Sequence, residues 1–123
     1  ERDHLAAVGP EVESSVRASV AEIVACLNTG NPRQVYAVFT QGYLARTYGN
    51  PAIAYLPAFE RSLDRVANPP KAPYVVQGFV IDGQTADGRV VVSITLAAGV
   101  EVWADRLVLA ESQGHWLIDE ILT

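Results

Sequence analysis

Gly114-His115-Trp116-Leu117-Ile118-Asp119-Glu120-Ile121 closes the chain as the last of four strand-like runs, and the position of these runs after a helical first half decides the fold. Working back from it, His115 to Leu122, Val100 to Leu109, Arg89 to Leu96 and Tyr74 to Ile81 are rich in the β-branched and aromatic residues that suit strands. Gln113-Gly114, Ala98-Gly99 and Asp87-Gly88 mark hairpin turns between them. Val90, Val92, Ile94 and Leu96 share one strand face, while Val91, Ser93 and Thr95 share the other.

The earlier part reads as helices. Gly9-Pro10 opens one, with proline at the first helical position and Glu11 and Glu13 where the positive end of the helix dipole favours carboxylates. Val16, Val20, Ile23, Val24 and Leu27 recur at helical spacing, and Asn28-Thr29-Gly30 stops the run. Asn31-Pro32 repeats the start signal for a short second helix with Val35, Val38 and Phe39 on its apolar face, and Gln41-Gly42 is read as its break. Tyr43 to Thr47 fits a short strand or a turn of helix. A third helix is expected from about Ala52 to Val66, with Leu56, Phe59, Leu63 and Val66 inward and Pro57 either in its first turn or at a kink. The first eight residues carry little pattern and are read as a flexible tail, which leaves 9–123 as one α+β domain with its helices on one face of an antiparallel sheet.

At 123 residues the chain can bury a core without metal or disulfide. Its formal charge of −5 lacks the clustered lysine and arginine that a nucleic-acid partner requires. No apolar run approaches the roughly 20 residues of a membrane span. Cys26 is the one cysteine, which excludes an internal disulfide and leaves it as a small buried hydrophobe. There is no methionine and the first residues are Glu1-Arg2-Asp3-His4, so a processed or trimmed start is expected; a signal peptide, a membrane anchor and a lone initiator residue all stay open as what was removed, and the reading leans to an extracytoplasmic location.

Two stretches resemble the nuclear transport factor 2-like superfamily, which includes ketosteroid isomerase and the SnoaL-like polyketide cyclases. One is the helix corner Val24-Ala25-Cys26-Leu27-Asn28-Thr29-Gly30-Asn31 running on to Tyr36-Ala37-Val38-Phe39, and the other is the closing Gly-x-Trp-x-Ile strand at Trp116 and Ile118. The resemblance implies three N-terminal helices packed on a strongly curved antiparallel sheet that forms a cone. It further implies an apolar pocket at the open end and a homodimer through the outer face of the sheet. It does not fix an activity, because one fold hosts many.

In ketosteroid isomerase a tyrosine and a protonated aspartic acid hold the oxyanion and a second aspartate moves the proton. Laid on the corner motif, the tyrosine position falls on Ile23 and the base position near Thr47, and neither side chain can shuttle a proton. Asp105 and Arg106 on the third strand, with Asp119 and Glu120 on the fourth, remain as carboxylate candidates. Neighbours on a strand point to opposite faces, so at most one of each pair looks inward, and a solvated face or a surface Asp-Arg pair is the plainer reading.

Tyr36, Tyr43, Tyr48, Tyr55, Phe59 and Trp103 are the aromatics nearest the expected mouth, of which Tyr36, Tyr43, Tyr55, Phe59 and Trp103 are the ligand-binding candidates; aromatics at helical spacing also serve as core. His4 and His115 are too scattered for a metal site, and Asp82-Gly83 with Asp87-Gly88 lacks the spacing and closing glutamate of a calcium loop and reads as turns. No cofactor motif is present among Gly-x-Gly-x-x-Gly, the P-loop and Gly-x-Ser-x-Gly. The expectation is a non-enzymatic domain that binds a small apolar or amphipathic ligand, or a protein segment. The alternative is a SnoaL-like isomerase, cyclase or dehydratase using Asp105 or Asp119 with a tyrosine.

Overall fold

A computed structural model describes residues 5–48 and 69–122, and the expected third helix at 52–66 lies outside them. The order is α1 (Pro10–Thr29), α2 (Pro32–Tyr36), α3 (Gln41–Tyr48), β1 (Val75–Gln84), β2 (Val90–Ala98), β3 (Glu101–Ser112) and β4 (His115–Leu122). The chain is therefore α+β, with three described helices followed by a four-stranded antiparallel sheet in the order β1-β2-β3-β4.

Each helix starts as its cap residues dictate. Pro10 occupies the first position of α1, and Gly30 ends it in the left-handed region (φ 62°), where its N–H reaches the Leu27 carbonyl. Asn31 accepts from the amides of Arg33 and Gln34 at the head of α2. Here the structure departs from the sequence reading. The second helix ends at Tyr36, and Val38 to Thr40 lie along β4 in parallel, with Ile118 donating to the Val38 carbonyl (2.8 Å) and Thr40 to the Ile118 carbonyl (2.9 Å).

Gln41-Gly42 begins α3 where a break was expected, because the Thr40 hydroxyl caps the Tyr43 amide at 3.0 Å and so supplies a helix start just ahead of them. Tyr43 to Thr47 is thus helical. Within the stretch read as a tail, Ala6 pairs antiparallel with Gln84, the two amides donating over 2.9 and 2.7 Å.

One face of the sheet takes α1. Val16, Val20 and Ile23 pack on Val90, Val92, Leu107, Leu109, Trp116 and Ile118, with Val38 closing the cluster. The β2–β3 register is unbroken, so Leu96 and Trp103, Ile94 and Asp105, Val92 and Leu107, and Val90 and Leu109 form successive rows on this helix-facing side. Three register shifts leave Gln77, Asp82 and Asp119 as extra residues in their strands. Bulges bend a strand and increase its twist, which is how an open sheet of this length curves around its helices.

Asp82, read as a turn residue, stands inside β1 and accepts from Ser93 (2.6 Å) and Arg106 (3.1 Å), whereas Asp87 and Gly88 do form the turn. The opposite face of β2 is more enclosed than alternation suggests, with Val91 only 1% exposed beside Val108.

Candidate functional site

Toward the start of β3 the helix-facing side carries Leu96 of β2 and Trp103 of β3, and the next row holds Asp105 beside buried Ile94, with Phe79 of β1 at its end. Phe79 and Leu96 are partly buried against the core, and Trp103 is 39% exposed. The Trp103 ring meets Tyr74 at 5.8 Å in a tilted pair, a geometry aromatic quadrupoles favour. Arg17 of α1 stands over the Phe79 ring at 5.2 Å and is itself paired with Glu13.

Asp105 is half-buried between Trp103 and Leu107 on this side and makes no hydrogen bond or ion pair among the described residues. A surface pair with Arg106 does not form: Arg106 points to the other face and binds Asp82. Among the described residues nothing consumes the lone pairs of this carboxylate, which can therefore accept from a ligand group.

Asp119 is placed very differently. Its Oδ1 accepts from the Thr40 hydroxyl at 2.7 Å and faces Arg46 at 3.6 Å, while Oδ2 accepts from Arg89 at 3.0 Å. Arg46 also donates to the Asp119 carbonyl. Burial pushes its pKa up, but the hydrogen bonds from Thr40 and Arg89 and the charges of Arg46 and Arg89 outweigh that and hold it below the usual carboxylate value. Arg89 bridges on to Glu120 at 2.8 Å and Asp87 at 3.2 Å, so its own pKa is raised, chiefly by Glu120. A carboxylate so ligated is a poor proton carrier and a good clamp, tying α3 and the residue ahead of β2 to the bulge in β4.

The aromatic candidates do not converge. Tyr43 stacks on Phe39 with ring centroids 4.6 Å apart and borders a small recess of about 220 Å³ with Arg46, Asp119 and Ile121. Tyr36 is half-buried at the end of α2. Trp103 lies at the far end of β3 beside Asp105. Tyr55, Phe59 and the side chain of Tyr48 lie outside the described residues. Ile23 is core, and Thr47 is exposed on α3.

Sequence reasoning missed Tyr74 as the partner of Trp103, and Thr40 and Arg89 as the partners of Asp119. Only Thr40 carried a local signal, a hydroxyl three residues ahead of Tyr43 in the form of a helix cap.

Two further surfaces are concave. On the outer face a depression of about 440 Å³ lies between the row Gly78, Thr95, Ala104 and the row Val80, Ser93, Arg106, and the intervening row Phe79, Ile94, Asp105 also lines it. Val80 on its border is 59% exposed. Behind α1 a cleft of about 430 Å³ is walled by Cys26, Ala37 and Leu117, and its rim carries His115 paired with Glu22 at 3.2 Å. Cys26 is half-buried there. Among the described residues no group of three or more His, Cys, Asp or Glu side chains is gathered for a metal ion, and no helix is long and apolar enough to cross a membrane. Compared with protein-family models, curated proteins and solved structures, the chain matches none.

Proposed function

We propose that this chain is a non-enzymatic binding domain of the nuclear transport factor 2-like kind, whose helix-facing sheet surface holds a small apolar or amphipathic ligand. The observation that carries this reading is the helix-facing side near the start of β3, where partly buried Leu96 and half-exposed Trp103 adjoin Asp105. An apolar wall with one convergent polar group is the usual make-up of a small-molecule site. The carboxylate most elaborately bonded, Asp119, is held ionised by its neighbours, which suits it to a clamp rather than to proton transfer. Native mass spectrometry of the purified protein tests the reading. A retained small molecule, lost from Trp103→Ala, is the expected result; a ligand-free protein that binds nothing in a screen of apolar compounds and captures no peptide rejects it.

One observation favours the enzymatic alternative. Asp105 is half-buried with no hydrogen bond or ion pair among the described residues, and Trp103, two residues before it on the same strand face, meets the Tyr74 ring. Proton abstraction next to a carbonyl would then appear as deuterium uptake by ketones in D2O, abolished in Asp105→Asn.

The outer depression, with exposed Val80 and Val102 near a row of small residues, supports a homodimer through the sheet. Light scattering is expected to give twice the monomer mass, reduced to the monomer by Val80→Arg.

A further inference from the structure

We infer that the ligand of the helix-facing surface is an organic cation, an apolar body carrying a protonated amine that pairs with Asp105. This inference rests on the binding reading above and specifies its chemistry. A half-buried carboxylate loses part of its hydration and ordinarily regains the cost through a cation or several N–H donors. Asp105 has neither among the described residues. Among the described residues, its chain neighbour Arg106 is committed to Asp82 on the opposite face, and Arg17 to Glu13 and the Phe79 ring.

In the row of Asp105, Ile94 is buried in the core, while the adjoining row holds partly buried Leu96 and half-exposed Trp103. A ligand lying on that row meets apolar side chains and has the carboxylate at one end. The Tyr74–Trp103 pair beside Asp105 offers electron-rich ring faces, which attract an ammonium and give an anion nothing. A neutral amphiphile would satisfy the apolar row and leave the carboxylate without a counter-charge. An anionic one would be repelled.

Calorimetric titration of the purified protein with octylamine, octanol and octanoate, matched in apolar body and differing in head group, tests the assignment. Octylamine is expected to bind about tenfold or more tightly than octanol, with octanoate weakest, and Asp105→Asn is expected to bring octylamine down to the octanol affinity while octanol binding stays within about twofold. Retained octanol binding also shows that the variant is folded. Equal binding of all three, or an amine preference that survives Asp105→Asn, overturns the cation assignment and leaves the binding reading standing. Absence of binding by any of the three to a folded protein overturns both.

Discussion

The hydroxyl of Thr40 donates to the Asp119 carboxylate over 2.7 Å while accepting from the Tyr43 amide, so the cap of α3 is oriented by a bulge residue of β4. Removing the carboxylate frees the cap, the Arg89 contact and the Arg46 contact together. Asp119→Asn is therefore expected to cost about 1–3 kcal/mol at neutral pH. The pH dependence has a definite sign. Because the folded protein holds this carboxyl below its ordinary value, its contribution is complete above about pH 4 and is lost as pH falls through the lowered folded pKa. Urea melts of the two proteins between neutral and acid pH should show the stability gap closing below about pH 4. A gap that stays constant in acid would mean that the carboxylate charge is not its source.

Asn28 bonds Tyr74 as a strand neighbour would, its amide nitrogen donating to the Tyr74 carbonyl (3.0 Å) and its oxygen accepting the Tyr74 amide (2.7 Å). This fastens the end of α1 to the start of β1 and sets the position of the Tyr74–Trp103 pair. Asn28→Ala is expected to cost about 2 kcal/mol, roughly one for each bond. Asn28→Asp should be as harmful at neutral pH, since a carboxylate cannot donate to the carbonyl. Protonation restores a donor beside an acceptor, so Asn28→Asp should gain stability relative to Asn28→Ala as pH falls below about 4. Parallel denaturation series of the two variants provide the check.

The strands and the two ends of α1 were legible because each is written locally, in alternation, in glycine turns and in a Pro-first, Gly-last helix. The facing of Asp105 follows from the same alternation, since it stands two residues before buried Leu107 in an unbroken register. Asp119 could not be placed that way. A bulge at Asp119 interrupts the alternation, and Thr40 and Arg89 reach it from distant parts of the chain. The start of α2 was legible in Asn31-Pro32 but its end was equally hidden, because what draws Val38 to Thr40 out of helix is the edge of β4 around Ile118. Gln41-Gly42 misled for a simpler reason: a glycine in a first turn costs a helix little when the residue ahead caps it well.

Trp116 is held by two serines one turn apart on α1, Ser19 taking its backbone amide at 3.0 Å and Ser15 its indole N–H at 3.1 Å. The first contact is buried and the second only partly so. Ser19→Ala should therefore cost more, about 1–3 kcal/mol for a buried amide left unpaired, against about 1 kcal/mol for Ser15→Ala. Thermal melts rank the two, and the indole N–H resonance of Trp116 should shift strongly only in Ser15→Ala. The reverse order of stabilities would mean that water replaces Ser19 at the amide.

Gly83 sits at φ 152°, where a side chain is strained, and a Cβ there would lie 2.6 Å from the Leu5 Cβ and 2.9 Å from the Ala6 carbonyl. Neither neighbour is the loose end of a long side chain, so the Ala6–Gln84 pairing must open to make room. Gly83→Ala is expected to lower stability by about 1–3 kcal/mol and to speed hydrogen exchange at the Ala6 and Gln84 amides. Gly88→Ala separates strain from collision, because Gly88 also has positive φ (91°) but nothing within 4 Å of its added Cβ. That variant should show a smaller loss, about 1 kcal/mol, with the Ala6 and Gln84 amides as protected as before. Equal loss of protection in both would place the effect in the β1–β2 turn, since only the Gly83 substitution collides with Leu5 and Ala6.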